Sequence, residues 1–593
     1  MFEISDRGGL GRTGLWSRSG RSIRTPVVLS VHRPSRPAPR YAEAILSSDR
    51  VEDPRPQIRV SGSFFAPIRL ASQDDLPPTK GVPLSVADLE IPQEGAPGDL
   101  AIVASEADFA SARSAEALFL ANGPEFLREP RAFVSLVAAV REILGPSKLL
   151  GVTGLACPAN AALLVYAGVD LLDSSRMVLE SARGVFHTSD GAMDQAAADR
   201  AACACPACVA GEDLLAHNER SLYREILVVR NHLAHGRLRE LVERRLANDP
   251  WNTAVLRHLD LRHGDLVEQY VPVTGVKMLA YSHESLMRSE VVRFRRRVRD
   301  RYRKPPSARV LLLLPCSARK PYSASRSHRR FRDAVLACGN PSAVHEVIVT
   351  SPLGLIPREL ERFYPARAYD IPVTGDWNRD EAAIVSDDLR AYVAANSYDA
   401  IVAHLGAEAP IVRDALPQAV VPSGARPTSD EALAALTRVL SELTASLERV
   451  PRGRRFAEEM ENVARFQFGE AGLALVADAT YRGRFPDVHV IRGGTQVAMH
   501  TDRGMLSLSL EGGKVLSNAN AYCVEIDDFV PKGNVFAVGV EDATRDLRIG
   551  DEVVVRHDGE VRAVGTARMA WREMIDLSRG EAVHVRHVVG SKP

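Results

Sequence analysis

Hydrophobic positions in the first half of the chain alternate between short apolar strands and stretches with the spacing of amphipathic helices; Leu149 to Val152 and Ala162 to Leu172 are examples. That alternation predicts a parallel β/α architecture over 1–287, which a barrel would satisfy. From Arg288 to Lys304 the pattern turns basic, with Arg293, Arg295, Arg296, Arg297, Arg299, Arg301 and Arg303, and Pro305-Pro306 stops it. This segment, 288–308, reads as a basic helix leading into a linker. Strands are expected at Arg309 to Leu314, Glu346 to Thr350 and Ile401 to Leu405, giving a second α/β domain over 309–426. Helical spacing recurs from Ser429 to about Gln467, and a small mixed region completes 427–516. The last segment, 517–593, consists of short strands broken by Gly and Asp: Val535 to Val540, Asp551 to Arg556, Val561 to Met569 and Ala582 to Val589. Such spacing predicts a small β-barrel. The fold class is therefore α/β multidomain.

Composition narrows the function classes. The 593 residues are 45% hydrophobic and 25% charged, ordinary for globular protein. No apolar run approaches the roughly 18 residues of a membrane span, and Met1 to Gly20 lacks the apolar core of a secretory signal. A cytoplasmic protein without a membrane partner is expected, as a homo-oligomer. The 75 basic and 75 acidic side chains cancel, so any nucleic-acid contact has to come from local patches.

Cys203-Ala-Cys205-Pro-Ala-Cys208 places three thiolates on a tight turn, which suits zinc with one imidazole as fourth ligand. His217, His232 and His235 are the nearby candidates, and four protein ligands would make the zinc structural, with no open position for chemistry. C-x-C-x-x-C followed by a His-Asn helix resembles the zinc motif of tRNA-guanine transglycosylases, which are β/α barrels; the resemblance favours His217. Gly168-Val169-Asp170-Leu171-Leu172-Asp173-Ser174 is similar to that family's G-x-D-x-F-D-S segment and puts Asp173 at the nucleophile's position. The family's T-D-S-G-G-F segment and Gly-Gly-Leu loop have no counterpart here, so Asp173 reads as a transglycosylase remnant.

Directly after the strand at 309–314 comes Pro315-Cys316-Ser-Ala-Arg-Lys320-Pro321-Tyr322-Ser-Ala-Ser325-Arg-Ser-His328. A loop at the carboxyl end of a strand in an open α/β sheet is where ligands bind. Its thiol, ammonium, phenol, hydroxyls and imidazole make poor packing and good catalysis. Lys320 and His328 are expected to lower the Cys316 thiol pKa and make it a nucleophile. The pattern P-C-x-x-x-K-P-Y-x-x-S-x-x-H is similar, position by position, to the signature of the archaeosine synthase family. Thr350 to Gly354, Pro357 to Glu361 and Tyr369 to Gly375 carry the same resemblance.

That resemblance implies action on archaeal tRNA containing preQ0, a nitrile-bearing 7-deazaguanine, in the D-loop. Lysine is the co-substrate that adds to the nitrile, and a radical-SAM partner cleaves the adduct to archaeosine. Cys316, Lys320, Tyr322, Ser325 and His328 would be the catalytic set. The tail, through Lys532 to Val540, Ile549 to Val555 and Ala563 to Ala567, resembles the PUA domain of RNA-modifying enzymes. Lys532, Gly539, Arg568 and Arg586 are its candidate RNA contacts. The alternatives are transglycosylase base exchange and a non-catalytic tRNA-binding subunit.

Overall fold

Strands that are apolar through their whole length are stable only when both faces are covered, and the first half of the protein meets that condition. The computed structural model describes residues 2–18, 20–33, 36–47, 51–59, 100–121, 123–194, 202–372, 377–422, 424 and 426–590. It contains two compact units: Met1–Val271 with Phe536–Val538 and Arg572–Glu581, and Pro272–Val535 with Gly539–Trp571 and Ala582–Pro593.

In the first unit, β1 (Phe2–Gly8), β2 (Gly11–Arg18) and β3 (Arg21–Thr25) form an antiparallel lead-in. Then come β4 (Val27–Val31), β5 (Ala44–Ser47), β6 (Gln57–Arg59), β7 (Leu100–Val103), β8 (Ala117–Leu120), β9 (Leu149–Val152) and β10 (Leu171–Asp173). These seven make one parallel sheet, in the order β6-β5-β4-β10-β9-β8-β7, curled as half of a barrel. Every residue of β4, β5, β8, β9 and β10 is buried. The segment Ala162 to Leu172 resolves into helix α1 (Ala161–Tyr166) followed by β10. Helix α2 (Ser175–Ala182) follows, and α3 (Leu214–Ala234) buries Leu222, Ile226, Val229 and Leu233, the stripe that helical periodicity requires.

The basic stretch opens as helix α4 (Ser289–Asp300) of the second unit, and its arginines are fastened within that unit. Arg295 forks onto Asp388 at 2.7 and 3.0 Å, and Arg301 donates to the carbonyls of Phe466 and Gln467 at 3.3 and 3.2 Å. Next, β11 (Val310–Pro315), β12 (Val344–Thr350), β13 (Gly354–Pro357) and β14 (Ala400–Ala403) make a sheet in the order β13-β12-β11-β14. It is parallel except for β13. Helices α5 (Arg326–Ala337) and α6 (Asp430–Thr444) bring Phe331, Leu436 and Leu440 against Val310, Leu312 and Leu314. Thus α6, which the sequence suggested belongs to the following segment, packs on this sheet. A four-stranded antiparallel sheet over 480–508 precedes the tail. There Cys523–Ile526 runs parallel to Glu552–His557, which pairs antiparallel with Glu560–Ala567, and that strand in turn with Glu581–Val588. Among the described residues no helix is long and apolar enough to cross a membrane.

The half-barrel is anchored at the start of β10. Asp170, 1% exposed, accepts from Arg12 Nε and Nη2, from Arg141 Nη2 and from the Leu150 backbone N–H, each at 2.9 Å. Burial by itself would raise this carboxyl, yet Arg12 and Arg141 hold it below its ordinary value. Both guanidiniums also donate to the Lys148 carbonyl, at 2.7 and 2.6 Å, so the cluster ties β2, β9 and β10 together. The group contributes stability that is complete above the unfolded carboxyl pKa of about 3.9 and is lost as pH falls through its lower folded value. Asp170→Asn strands two buried cations and is expected to cost about 3–5 kcal/mol. Thermal unfolding followed by circular dichroism checks this; an unchanged melting profile would show that the cluster is not an anchor.

Candidate active-site loop and metal centre

Pro315 ends β11, and the chain turns through Cys316 to Pro321 before Ser325 starts α5. The loop therefore stands at the carboxyl edge of the sheet, flanked by the ends of β12 and β14. The Cys316 and Lys320 side chains are half-buried, whereas Tyr322 is sealed at 0% exposure. Lys320 Nζ lies 4.0 Å from the centre of the Tyr369 ring and 5.9 Å from that of Tyr322. The Tyr322 hydroxyl bonds to that of Tyr369, which in turn lies 2.6 Å from Thr350 Oγ1. Because Thr350 gives its hydrogen to the Ser351 carbonyl at 3.0 Å, the hydrogens run in one direction, from Tyr322 to Tyr369 to Thr350 to the backbone.

This geometry corrects two expectations for the loop. The Cys316 thiol is raised, by burial first and by the Glu408 carboxylate second; Lys320 offsets them only in part. Lys320 is lowered, chiefly by burial, so both groups are displaced toward their neutral forms. His328 is not placed to shuttle a proton. Its Nε2 donates to the Pro315 carbonyl at 3.0 Å, and its Nδ1 accepts from Arg358 at 2.9 Å. Burial, reinforced by Arg358, pushes it down to about 3, a neutral imidazole at any working pH. Ser325 caps α5, accepting from the His328 N–H at 3.2 Å, a contact worth about 1 kcal/mol.

Arg358, within the family-like stretch Pro357 to Glu361, fastens the loop from the side. Besides His328 it holds Glu346, at 2.6 and 3.0 Å, and Glu361, at 2.9 Å; Glu361 in turn accepts from the Ser323 N–H at 3.0 Å. Thr350 and Tyr369 likewise lie within family-like stretches, and the sequence by itself assigns none of the three a role. The structure brings Arg358 and Glu361 onto the loop through His328 and Ser323, and Thr350 and Tyr369 onto it through Tyr322, while 373–375 lie outside the described residues.

The metal candidates also converge. His217 Nδ1 lies 3.7, 3.3 and 3.3 Å from the sulfurs of Cys203, Cys205 and Cys208, and the four ligand atoms all fall within 4.8 Å of one another. A tetrahedral ion with bonds of about 2.3 Å to sulfur and about 2.0 Å to nitrogen sets sulfur and nitrogen about 3.5 Å apart. His217 Nε2 donates to the His187 carbonyl at 2.8 Å, which leaves the Nδ1 lone pair facing the thiols. The cluster can hold a metal ion. His232 and His235 turn their Nδ1 atoms to the carbonyls of Val228 and Asn231 instead.

Asp173 ends β10 with 0% exposure. Its Oδ1 accepts from Gly154 N at 3.1 Å and from Ser175 N and Oγ at 3.1 and 2.6 Å, while Oδ2 has no hydrogen-bond partner among the described residues, and burial pushes the group up to about 6. Gly154 reaches it with φ +71°, in the left-handed region. In the tail, Lys532 and Arg568 are exposed and Gly539 faces the Phe529 ring. Arg586 is taken up by Glu552 and, at 3.1 Å, by the Leu508 carbonyl.

Comparison with known proteins agrees with this layout. Residues 291–440 match the family described as a domain of unknown function, DUF5591, and residues 524–589 match the PUA domain. The archaeosine synthase of Haloferax volcanii is 40% identical over 81% of this chain and 84% of its own length. The archaeosine synthase subunit alpha of Methanosarcina acetivorans is 38% identical over 77% of each chain. Relatedness to tRNA-guanine(15) transglycosylase extends further at lower identity: that of Methanothermobacter thermautotrophicus is 26% identical over 99% of this chain and 98% of its own. With a family-like signature loop, a half-barrel, a PUA tail and these relatives, the chain belongs to the archaeosine synthase family of tRNA-modifying enzymes.

Proposed function

We propose that this protein adds lysine to the nitrile of preQ0 in the D-loop of tRNA, the step that leads to archaeosine. The observation that carries the proposal is the placing of half-buried Cys316 and Lys320 on one loop at the carboxyl end of β11, where burial shifts both toward their neutral forms. A nitrile carbon is a weak electrophile, and free lysine is protonated at neutral pH, so direct addition is slow. Lys320 as a neutral amine takes the Cys316 proton, and the thiolate adds to the nitrile carbon. The nitrogen takes up a proton, which leaves a thioimidate. The lysine amine then adds to that carbon and the thiolate leaves with its proton, giving an amidine and free Cys316. Tyr322, Ser325 and His328 position the loop and keep its shape. One relative's printed name, subunit alpha, fits a partner that completes the sequence, and the radical-SAM enzyme expected from the family is the candidate. Zinc is the ion proposed for Cys203, Cys205, Cys208 and His217, as a staple of the half-barrel unit. A cytoplasmic location and a homo-oligomer complete the reading.

Cys316→Ala is expected to abolish adduct formation with preQ0-containing tRNA and lysine, and Cys316→Ser to lose at least about a hundredfold, since an alcohol is a far weaker acid. Because burial raises the thiol, kcat/KM should climb between about pH 7 and 9, and mass spectrometry with lysine omitted should trap the enzyme-bound thioimidate. Full activity in Cys316→Ala would sink the covalent route.

Metal analysis should find one zinc per chain, lost in Cys205→Ser and His217→Ala together with thermal stability, and kept in His232→Ala. Retention of the ion in His217→Ala would remove it from the ligand set.

Lys532→Glu and Arg568→Glu should each weaken tRNA binding and flatten its salt dependence by about one unit of slope per lost phosphate contact. Binding isotherms at several salt concentrations decide the point, and an unchanged slope would take the tail off the phosphate track.

A further inference from the structure

A cavity lies in the second unit, on the PUA domain, and nothing above uses it. It measures about 550 Å³ and is lined by Asn520, Cys523, Glu525, Asp542, Thr544, Asp546 and other residues, with Arg545, Arg556 and Trp571 beside them. That size falls within the roughly 300–1,000 Å³ of small-molecule sites. Its charges are unusual for an RNA-binding domain. Arg556 is spent on Glu525 at 2.9 Å, on the Ser517 carbonyl at 2.9 Å and on Asn520 Oδ1 at 2.6 Å. What remains is one cation, Arg545, against the carboxylates of Asp542 and Asp546. Asp546 Oδ1 is buried and accepts no hydrogen bond among the described residues. Such a lining repels phosphate and favours a neutral group that donates hydrogen bonds. Arg545 sets its guanidinium 5.7 Å from the centre of the half-buried Trp571 ring, so two planar groups lie together in the lining.

We propose that this cavity is a subsite for one unpaired guanine of the RNA substrate, read by Asp546 and stacked against Trp571 and Arg545. Guanine alone among the four bases presents two adjacent donors, N1–H and the 2-amino group, that match both oxygens of a carboxylate. Adenine and cytosine offer a single amino group, and uracil a single N–H. Unpaired bases are the parts of RNA whose pairing edges are open and whose faces are free to stack on aromatic and guanidinium planes. The site is one of recognition, remote in sequence from the loop at 315–328. It rests on the reading that the chain binds RNA and is independent of the nitrile chemistry.

The test uses the full chain and the mononucleotides GMP, IMP, AMP and inorganic phosphate, followed by calorimetry and saturation-transfer NMR. IMP keeps N1–H and lacks the 2-amino group. GMP is expected to bind about tenfold more tightly than IMP and more tightly still than AMP, with phosphate failing to compete. Asp546→Asn should bring GMP down to the level of IMP. Arg545→Ala, on an exposed side chain, should weaken GMP several-fold at an unchanged melting temperature. Equal binding of GMP and AMP, competition by phosphate, absence of GMP binding, or wild-type GMP affinity in both variants would each overturn the proposal. Loss of lysine addition in a protein that still prefers GMP would instead overturn the reaction proposed above.

Discussion

A guanidinium inside a fold has five donors to satisfy and one charge to balance, and the signature loop takes its shape from how Arg358 meets that demand. Its fork reaches Glu346 on β12, Glu361 just beyond β13 and the imidazole of His328 on α5. Through Glu361 it also fixes the backbone of Ser323. Strand, helix and loop are thereby held by one guanidinium whose pKa, lowered by burial, is raised overall by Glu346 and Glu361. Withdrawing it would leave two carboxylates facing each other and an imidazole with an idle lone pair. Cys316 and Lys320 lie in the part of the loop that Arg358 and its carboxylates do not bond, and both side chains stay half-buried.

Legibility in the sequence followed the range of the interaction that fixed each feature. The all-apolar run Leu149 to Val152 became β9, since four buried residues in a row leave little alternative. The tail hairpin was legible too: Asp558-Gly559 joins two strands with both residues at positive φ, 48° and 80°, a turn that its own dipeptide encodes. The metal cluster was readable because its ligands lie within 15 positions, Cys203 to His217.

Roles set by distant partners were not readable. His328 looks like a catalytic imidazole until the Pro315 carbonyl and Arg358, 30 residues away, are seen on its two nitrogens. Ser325 looks like a catalytic hydroxyl, yet it stands at the first turn of a helix where an oxygen acceptor is needed. The arginines of 288–304 read as a basic helix leading into a linker, and nothing in the sequence shows that Asp388 takes up Arg295 or that the carbonyls of Phe466 and Gln467 take up Arg301. The thiol pKa was misjudged for the same reason: Lys320 is visible in the motif, whereas Glu408 and the burial are not.

The one-way run of hydroxyl hydrogens from Tyr322 to the Ser351 carbonyl bears on how the loop behaves over a catalytic cycle. Every hydrogen in that run is already committed, so what Lys320 meets is the flat face of Tyr369. Among the described residues no acceptor forms a hydrogen bond with Nζ, and the amine can lose or regain its proton without any framework bond being made or broken. The surrounding hydrogen bonds are insensitive to the protonation state of Lys320. A lysine locked in an ion pair would have to break that pair on losing its proton, and the aromatic wall of Tyr369 removes that requirement here.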